Sequence, residues 1–403
     1  MAAPVVMVLA AIYGLGHQGL GDSLSLRDAL ARARTERAQV KAAGAGVAAA
    51  RAGVRVAGTI PNPVASYSYT DDPPRQHASL DQSLDWLLTR GADRSAAQSQ
   101  VRRALADSLR GAAELAAEVR EAFYGTLAAA ELERVTDEQG LVADSLVRIA
   151  DRRVAAGDIA ELERSQLVLE AARAAQRRSR AREAAGVAWA RLARAIAWPS
   201  STSRPALAGR LDDGLPAAPL ADLTDTTSLR SPVIEAAVAD SEAGEERARR
   251  MSLARVPLPS VVAGADWDDP GGQRGALAVL GISLPLPLWQ RGGGALAQAR
   301  AEAARAAAAT AEARLDVRRD LAEAATRLNE AAGRARTARD SLLPVARRIR
   351  ERATVAYQAG ETGLIPLLEA LRAERDVTAE AVDDLLAFQE ALAGWKRTLG
   401  EAE

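Results

Sequence analysis

The sequence contains no cysteine, only two histidines and only three methionines in 403 residues. The lack of cysteine excludes disulfides, thiolate metal sites and lipid attachment to an N-terminal cysteine. His17 lies in an apolar N-terminal segment and His77 in a polar turn, and a lone histidine of this kind is normally a solvated side chain. We therefore expect no enzyme activity, no cofactor and no dedicated soft-metal site.

Aromatic residues make up 3% of the chain, although hydrophobic residues reach 48%, because alanine supplies most of them. Alanine faces let helices approach closely, whereas a large globular core normally contains more phenylalanine, tyrosine and leucine. The net charge of −1 provides no basic surface for nucleic acid. Beyond the N terminus, no stretch reaches the eighteen or so apolar residues of a membrane-spanning helix, so any membrane crossing must use strands.

Residues 1–21 form an apolar segment followed by a glycine-rich stretch. We interpret them as a signal peptide that directs export. The alternative is a frayed, mis-started N terminus, because the segment lacks an early lysine or arginine and a clear Ala-x-Ala cleavage site.

A stretch of more than sixty residues without proline follows Gly91 and ends near Gly157. Its apolar side chains recur every three or four positions, which is the pattern of an amphipathic helix. Sixty helical residues span roughly 90 Å, several times the diameter of a small domain. The sequence therefore predicts a rod, which no compact globule requires.

The same order of features recurs about two hundred residues later. The matched pairs are Leu84–Gly91 with Leu284–Gly292, Asp71–Pro73 with Asp268–Pro270, Ala156–Asp158 with Ala359–Glu361, and Trp189 with Trp395. Offsets near 200, with the features in the same order, indicate a duplicated unit.

We divide the chain accordingly. The first repeat, 22–198, contains a helix that begins with Ser25 as cap and Asp28 as its partner, a β-hairpin at 62–88 and long helices at 92–197. A linker at 199–227 precedes the second repeat, 228–403, with a helix, a β-hairpin at 258–289 and long helices at 292–400. Pro344 should kink or interrupt the second long rod.

The two hairpins have two interpretations, membrane strands or ordinary hairpins. Val64–Thr70 alternates in period two and places Tyr67 and Tyr69 on one face. Strands of about ten residues suit a bilayer crossed at a tilt, and Trp86, Trp267 and Trp289 would form two aromatic belts at its interfaces. Alternatively, both are ordinary hairpins that cap a helical bundle. Because two hairpins cannot close a barrel, the membrane interpretation needs several copies of the chain.

The chain resembles the TolC-type outer-membrane efflux channel proteins over nearly its whole length, and among them the branch that works with heavy-metal or multidrug resistance-nodulation-division pumps. The resemblance rests on the order of elements, which occurs twice: a helix, a hairpin, a long helix, a glycine-containing tip and a second long helix. The matching stretches are Ser25–Leu30, Asn62–Pro63, Arg152–Gly157, Gly281–Leu286 and Ala356–Gly360.

The resemblance implies a mainly α fold with β-hairpins, built as a homotrimer. Three chains would form a 12-stranded β-barrel in the cell outer membrane and a hollow α-helical barrel through the periplasm. The function would be passive exit of drugs, metal ions or other small solutes, driven by an inner-membrane pump of the resistance-nodulation-division type through a periplasmic adaptor protein. Two alternatives remain: the chain is itself a periplasmic adaptor, or it is a soluble coiled-coil scaffold.

Two groups of site residues follow from the resemblance. The rod tips, Gly157 with Asp158 and Gly360 with Glu361, would meet the adaptor, although helix termination alone also accounts for the two glycines. Glu369 would contribute to a ring of carboxylates at the pore gate, a cation-binding barrier to anions. The second gate position is Pro366 here, which places the full gate in question, and Glu369 is alternatively one of many solvated helix charges.

Overall fold

The computed structural model describes residues 23–218, 231–268 and 275–402. The helices are α1 Leu26–Glu36, α2 Ala38–Ala57, α3 Trp86–Ala155, α4 Glu161–Ala195, α5 Pro232–Leu253, α6 Gly293–Thr337, α7 Leu343–Gln358 and α8 Leu364–Leu399. The strands are β1 Ser23–Ser25, β2 Val64–Tyr69, β3 Gln76–Ser83, β4 Ala206–Ala208, β5 Ser260–Trp267 and β6 Leu277–Ser283. The expected signal peptide with His17, the linker from residue 219 onward and the turn at 269–274 lie outside the described residues.

The predicted start of the first helix is confirmed. The Ser25 hydroxyl accepts a hydrogen bond from the Asp28 amide at 3.2 Å, and the Asp28 carboxylate accepts one from the Ser25 amide at 3.3 Å. This reciprocal pair satisfies two amides that no helical carbonyl reaches.

The helix is nevertheless divided into α1 and α2, where the sequence predicts one continuous helix. Arg37 has extended backbone angles between them. Its guanidinium donates to the Arg194 carbonyl and to the Glu118 carboxylate, each at 3.2 Å. Contacts with remote elements therefore accompany the break, and the local sequence contains no helix breaker there.

Four strands form one antiparallel sheet in the order β2-β3-β5-β6. The two hairpins meet at the β3–β5 pairing, which runs from Gln76 opposite Trp267 to Ser83 opposite Ser260. His77 belongs to β3, whereas the sequence places it in the turn. A second, parallel pair joins β1 to β4, and the sequence analysis does not predict it.

The hairpin boundaries differ from the sequence prediction on the helix side. β3 ends at Ser83 and not at Leu88, and Trp86 begins α3 because the Leu84 carbonyl accepts from the Leu87 amide at 3.0 Å. β6 ends at Ser283, because Pro285 and Pro287 have no amide hydrogen to donate to a neighbouring strand.

The predicted rods are confirmed. α3 contains 70 residues, which corresponds to roughly 105 Å of helix. α4 packs along α3, α3 along α8, and α8 along α6 and α7, so that α4 and α7 form the two edges of the helical layer in its tip half. Nearer the sheet, α5 packs between α3 and α6, and α2 packs on α3. None of the helices in the described ranges combines the length and apolarity needed to cross a lipid bilayer.

The second rod is interrupted at the predicted place. A π-helical turn, Ala338–Leu342, lies between α6 and α7, and Pro344 follows it directly. Proline lacks the amide that would bond to the Asp340 carbonyl, and its ring crowds that carbonyl. The Leu343 amide bonds instead to Ala338, one residue further back than in an α-helix.

The buried side chains form two separate clusters along the rods. One lies where the rods meet α1 and the segment with β4, and it includes Phe123, Leu192, Leu328 and Phe388. The other lies near the two rod tips. Between and around them much of the surface is alanine, which lets the helices pack closely with few large side chains.

Candidate functional site: rod tips, a free helix face and a two-faced sheet

Both rod tips end in the same backbone motif. Gly157 and Gly360 have φ values of 80° and 76°, in the left-handed region. The Asp158 amide donates to the Arg153 carbonyl at 2.8 Å, and the Glu361 amide donates to the Ala356 carbonyl at 2.9 Å. These six-residue closures are Schellman motifs, and they explain why a glycine stands at each tip.

The two tips are packed against each other. Tyr357 is fully buried in the tip cluster with Leu146, Leu167 and Leu367. The Arg153 guanidinium lies 5.4 Å from the centre of the Tyr357 ring, and its Nη1 donates to the Tyr357 carbonyl at 3.4 Å. Burial raises the pKa of the Tyr357 phenol, so the ring stays neutral and stacks with a charged guanidinium.

The four tip residues that the sequence predicts to meet an adaptor are all solvent-exposed at the end of this packed platform: Gly157, Asp158, Gly360 and Glu361. A Cβ at Gly157 would contact nothing within 4 Å, and one at Gly360 would approach only the Arg153 Nη2, at 3.9 Å. The tips therefore present small, open backbone surfaces on a rigid base.

The two gate candidates lie at the tip end of α8. Pro366 is the third residue of that helix, where an amide has no intrahelical partner, so the proline fits without distortion. Glu369 is exposed one turn later on the same face, and its carboxylate forms no ion pair with any described residue. The structure thus places both residues on one free surface of α8.

That surface carries more carboxylates than the sequence analysis identified. Starting at Glu369, exposed or half-exposed acidic residues and alanines follow at steps of three and four: Glu369, Ala373, Asp376, Glu380, Asp383, Ala387 and Glu390. This spacing keeps them within about a sixth of a turn of one line along the helix. We call the five carboxylates the α8 acidic line. Its spacing was visible in the sequence, but only the packing shows that this face is free.

The sheet has two chemically different faces, which the strand register defines. Directly opposed residues share a face. One face combines the two glutamines Gln76 and Gln82 with twelve residues that are apolar or aromatic: Ala65, Tyr67, Tyr69, Ala78, Leu80, Val261, Ala263, Ala265, Trp267, Ala278, Leu280 and Ile282. Leu280 and Ile282 are 83% and 77% exposed. So large an exposed apolar face on a small sheet requires a partner, and lipid satisfies it.

The other face is mostly polar, although Val64, Val262, Leu277 and Val279 also lie on it. The Ser66 and Ser79 hydroxyls are 2.7 Å apart, and the Ser260 hydroxyl donates to the Asp81 carboxylate at 3.0 Å. His77 Nδ1 lies 3.0 Å from the Asp266 carboxylate on the same face. Alternation of an apolar outside with a polar inside is the pattern of a strand between lipid and water.

The aromatic residues predicted for the membrane interfaces occupy two levels. Tyr67, Tyr69 and Trp267 lie at the turn end of the sheet, where the Trp267 indole donates to the Gln76 side chain at 2.8 Å. Trp86 begins α3 and Trp289 precedes α6, both at the helix end of the sheet. Trp289 is 90% exposed.

The described residues contain no candidate metal site. No group of three or more histidine, cysteine or acidic side chains there is arranged to hold a metal ion.

Comparison with known proteins agrees with this architecture. Residues 223–401 match the family described as outer membrane efflux protein. The cobalt-zinc-cadmium resistance protein CzcC of Cupriavidus metallidurans is 27% identical over 358 residues, which cover 87% of this chain and 83% of CzcC.

Solved structures share the fold over almost the whole chain. A membrane protein from Pseudomonas aeruginosa superposes with a TM-score of 0.76 at 19% identity, covering 93% of this chain and 92% of that one. The channel protein CusC gives a TM-score of 0.76 at 15% identity, covering 97% and 96%.

The long rods and the two-faced sheet define an outer-membrane channel protein whose helices extend into the periplasm. The family match over residues 223–401 and the likeness to CzcC along most of the chain agree with this class, and the chain serves as the outer-membrane exit duct of an efflux system. Its relatives are efflux channels and not enzymes.

Proposed function

We propose that three copies of this chain close into one duct that releases divalent metal cations, fed by an inner-membrane pump of the resistance-nodulation-division type through a periplasmic adaptor. The single observation that carries the proposal is that both layers of the chain, the sheet and the rods, end in free edges that are complementary to each other.

The sheet ends in β2 on one side and β6 on the other, and neither has a further partner among the described strands. All residues of β2 are exposed. Because the four strands alternate in direction, β6 of one copy can pair with β2 of the next and continue the antiparallel order. Three copies give twelve strands in a closed barrel without edges.

The helical layer ends in α4 and α7, and both edges carry exposed aliphatic side chains. On α4, Leu162, Leu169 and Val187 lie opposite the stripe that packs on α3. On the other edge, Val345 and Ile349 are about half exposed. An interface between two different surfaces of the same chain forms a ring when its rotation closes.

The division of the chain is part of this proposal. An exported segment at 1–21, a first repeat at 22–198, a linker at 199–227 and a second repeat at 228–403 account for the paired order of hairpins and rods. Each repeat supplies one hairpin to the barrel, one rod pair to the duct and one glycine tip to the adaptor.

The cargo proposal rests on the relative CzcC, whose name assigns it to cobalt, zinc and cadmium resistance, and on the α8 acidic line. Carboxylates along a water-filled path raise the local concentration of cations without binding them tightly. A wide duct can therefore pass metal ions although it lacks cysteine and methionine ligands.

A crosslinking experiment tests the ring. Leu169 is twelve residues after Gly157, and Ile349 is eleven residues before Gly360, so the two positions lie at equal heights on opposite edges. In the natural cysteine-free chain, Leu169→Cys combined with Ile349→Cys should give covalent dimers and trimers with a short thiol crosslinker in isolated outer membranes.

The control pair is Leu169→Cys with Leu315→Cys. Leu315 is also exposed but lies about 50 Å further along the rod, so we expect no crosslinked product. Monomers alone from the first pair, at normal amounts of membrane protein, would reject the edge-to-edge ring.

A further inference from the structure

The second hairpin differs from the first where it joins its rod. In the first repeat only Leu84 and Asp85 separate β3 from α3. In the second, residues 284–292 separate β6 from α6, and they read Leu-Pro-Leu-Pro-Leu-Trp-Gln-Arg-Gly. We call this stretch the β6–α6 segment.

The β6–α6 segment continues the apolar stripe of β6 beyond the end of the sheet. Leu280 and Ile282 of β6 are followed, still in steps of two, by Leu284, Leu286 and Leu288, which are 50%, 67% and 59% exposed. The two intervening prolines lack amide hydrogens, so the segment can lie at a lipid surface with two fewer unpaired backbone donors.

Two arginines, Arg255 and Arg291, lie at the end of this apolar stripe. Arg255 lies across Gly292, where its Nε donates to the Arg291 carbonyl at 3.3 Å. The guanidinium groups of Arg255 and Arg291 are exposed and form no ion pair with described residues. The nearby Arg250 is neutralised by Asp93 at 2.7 Å. With Asp85 as a further lining carboxylate, the site keeps a net positive charge.

A groove of about 720 Å³ runs between these groups. Leu253, Val256, Leu286 and Leu288 line it together with the guanidinium groups of Arg255 and Arg291. The groove therefore combines apolar side chains with cationic groups, which matches the acyl chain and the phosphate of a phospholipid.

We propose that the β6–α6 segment and Arg255 bind an anionic phospholipid of the periplasmic leaflet. The leaflet follows from the position of the groove at the helix end of the sheet, since the helices extend into the periplasm. The bound lipid anchors the second hairpin at a fixed height in the membrane. The proposal rests on the outer-membrane placement of the sheet.

The test uses the full-length protein in phosphatidylcholine vesicles that contain a small fraction of lipid with brominated chains. Bromine quenches tryptophan at short range, and the difference between the natural chain and Trp289→Phe isolates the signal of Trp289. We expect brominated phosphatidylglycerol to quench Trp289 several-fold more effectively than brominated phosphatidylcholine, because each arginine near the headgroups favours an anionic lipid roughly fivefold.

Arg255→Gln combined with Arg291→Gln should reduce this preference to nearly one. The matched control, Arg90→Gln with Arg94→Gln, changes two arginines at the start of α3 in the first repeat and should leave the preference intact. Equal quenching by the two lipids in the natural chain, or a preference that survives the Arg255 and Arg291 changes, would overturn the proposal.

If neither lipid quenches Trp289 in vesicle-embedded protein, another part of the assembly covers the β6–α6 segment. This result also rejects the lipid site. Failure of the protein to enter vesicles at all would instead contradict the membrane placement itself. The two failures are therefore distinguishable.

Discussion

At the residue scale, the tip glycines show how one backbone requirement can serve a docking surface. Gly157 and Gly360 end their rods with positive φ, which costs other residues about 1–2 kcal/mol. The same lack of a side chain leaves the tip backbone open to a partner. Helix termination explains why glycine is present at each tip. A docking partner would occupy the space that the missing side chain leaves open.

We predict that Gly360→Trp impairs efflux while the amount of protein in the outer membrane stays normal. The indole would cover the tip, whereas the strain of positive φ is small for a long rod. Metal tolerance of cells that depend on this chain, with immunoblots of membranes, measures both effects.

The control is Gly44→Trp, which adds equal bulk on the exposed surface of α2, where an added Cβ meets nothing within 4 Å. It should retain tolerance. Full tolerance in the Gly360 variant would remove that tip from the docking surface.

At the element scale, the junction between the two hairpins depends on one glycine. A Cβ at Gly264 would lie 2.6 Å from the Ala78 carbonyl oxygen, in the β3–β5 pairing. Backbone would have to move to relieve this contact, and the ladder that joins the two repeats would loosen.

We therefore expect Gly264→Ala to lower the temperature at which the detergent-solubilised assembly dissociates. Gly281→Ala is the matched control in β6, where the added Cβ would meet the Val262 side chain at an ordinary 3.8 Å. Denaturing gels after graded heating compare the two. Equal dissociation temperatures would show that the β3–β5 junction tolerates a side chain at Gly264.

Elements also show what could be foreseen from the sequence. The rods, the capped start at Ser25 and the interruption at Pro344 depend on local residues, and all were predicted. The division between α1 and α2 was not, because Arg37 bonds to Glu118 and to Arg194, far away in sequence. The pairing of β1 with β4 is equally remote, about 180 residues apart.

The α8 acidic line was missed for a different reason. Its residues are visible in the sequence, but α8 is amphipathic among many charged helices, and only the packing with α3, α6 and α7 shows which face remains free. Glu369 was identified by resemblance, whereas Glu380 and Asp383 carry no motif.

At the scale of the whole molecule, a gate requires symmetry. One exposed Glu369 has little effect on passing ions, since solvent screens it. Three copies around the axis of a ring would concentrate negative charge at the narrow end of the duct, where it attracts divalent cations.

We predict that Glu369→Gln weakens the block of the duct by divalent cations in single-channel recordings and leaves the open conductance within about twofold. Glu183→Gln, a neutralised carboxylate on α4 outside the α8 acidic line, should not change the block. Unchanged block in the Glu369 variant would exclude this residue from the gate.

The unpaired edges of the sheet have a consequence for biogenesis. A newly exported chain would carry two bare strand edges and an apolar face through an aqueous compartment, which are the features that promote aggregation. Completion of the sheet would then depend on meeting two further copies. Assembly would slow steeply as the chain becomes dilute, and folding, insertion and oligomerisation would form one coupled event that periplasmic chaperones must protect.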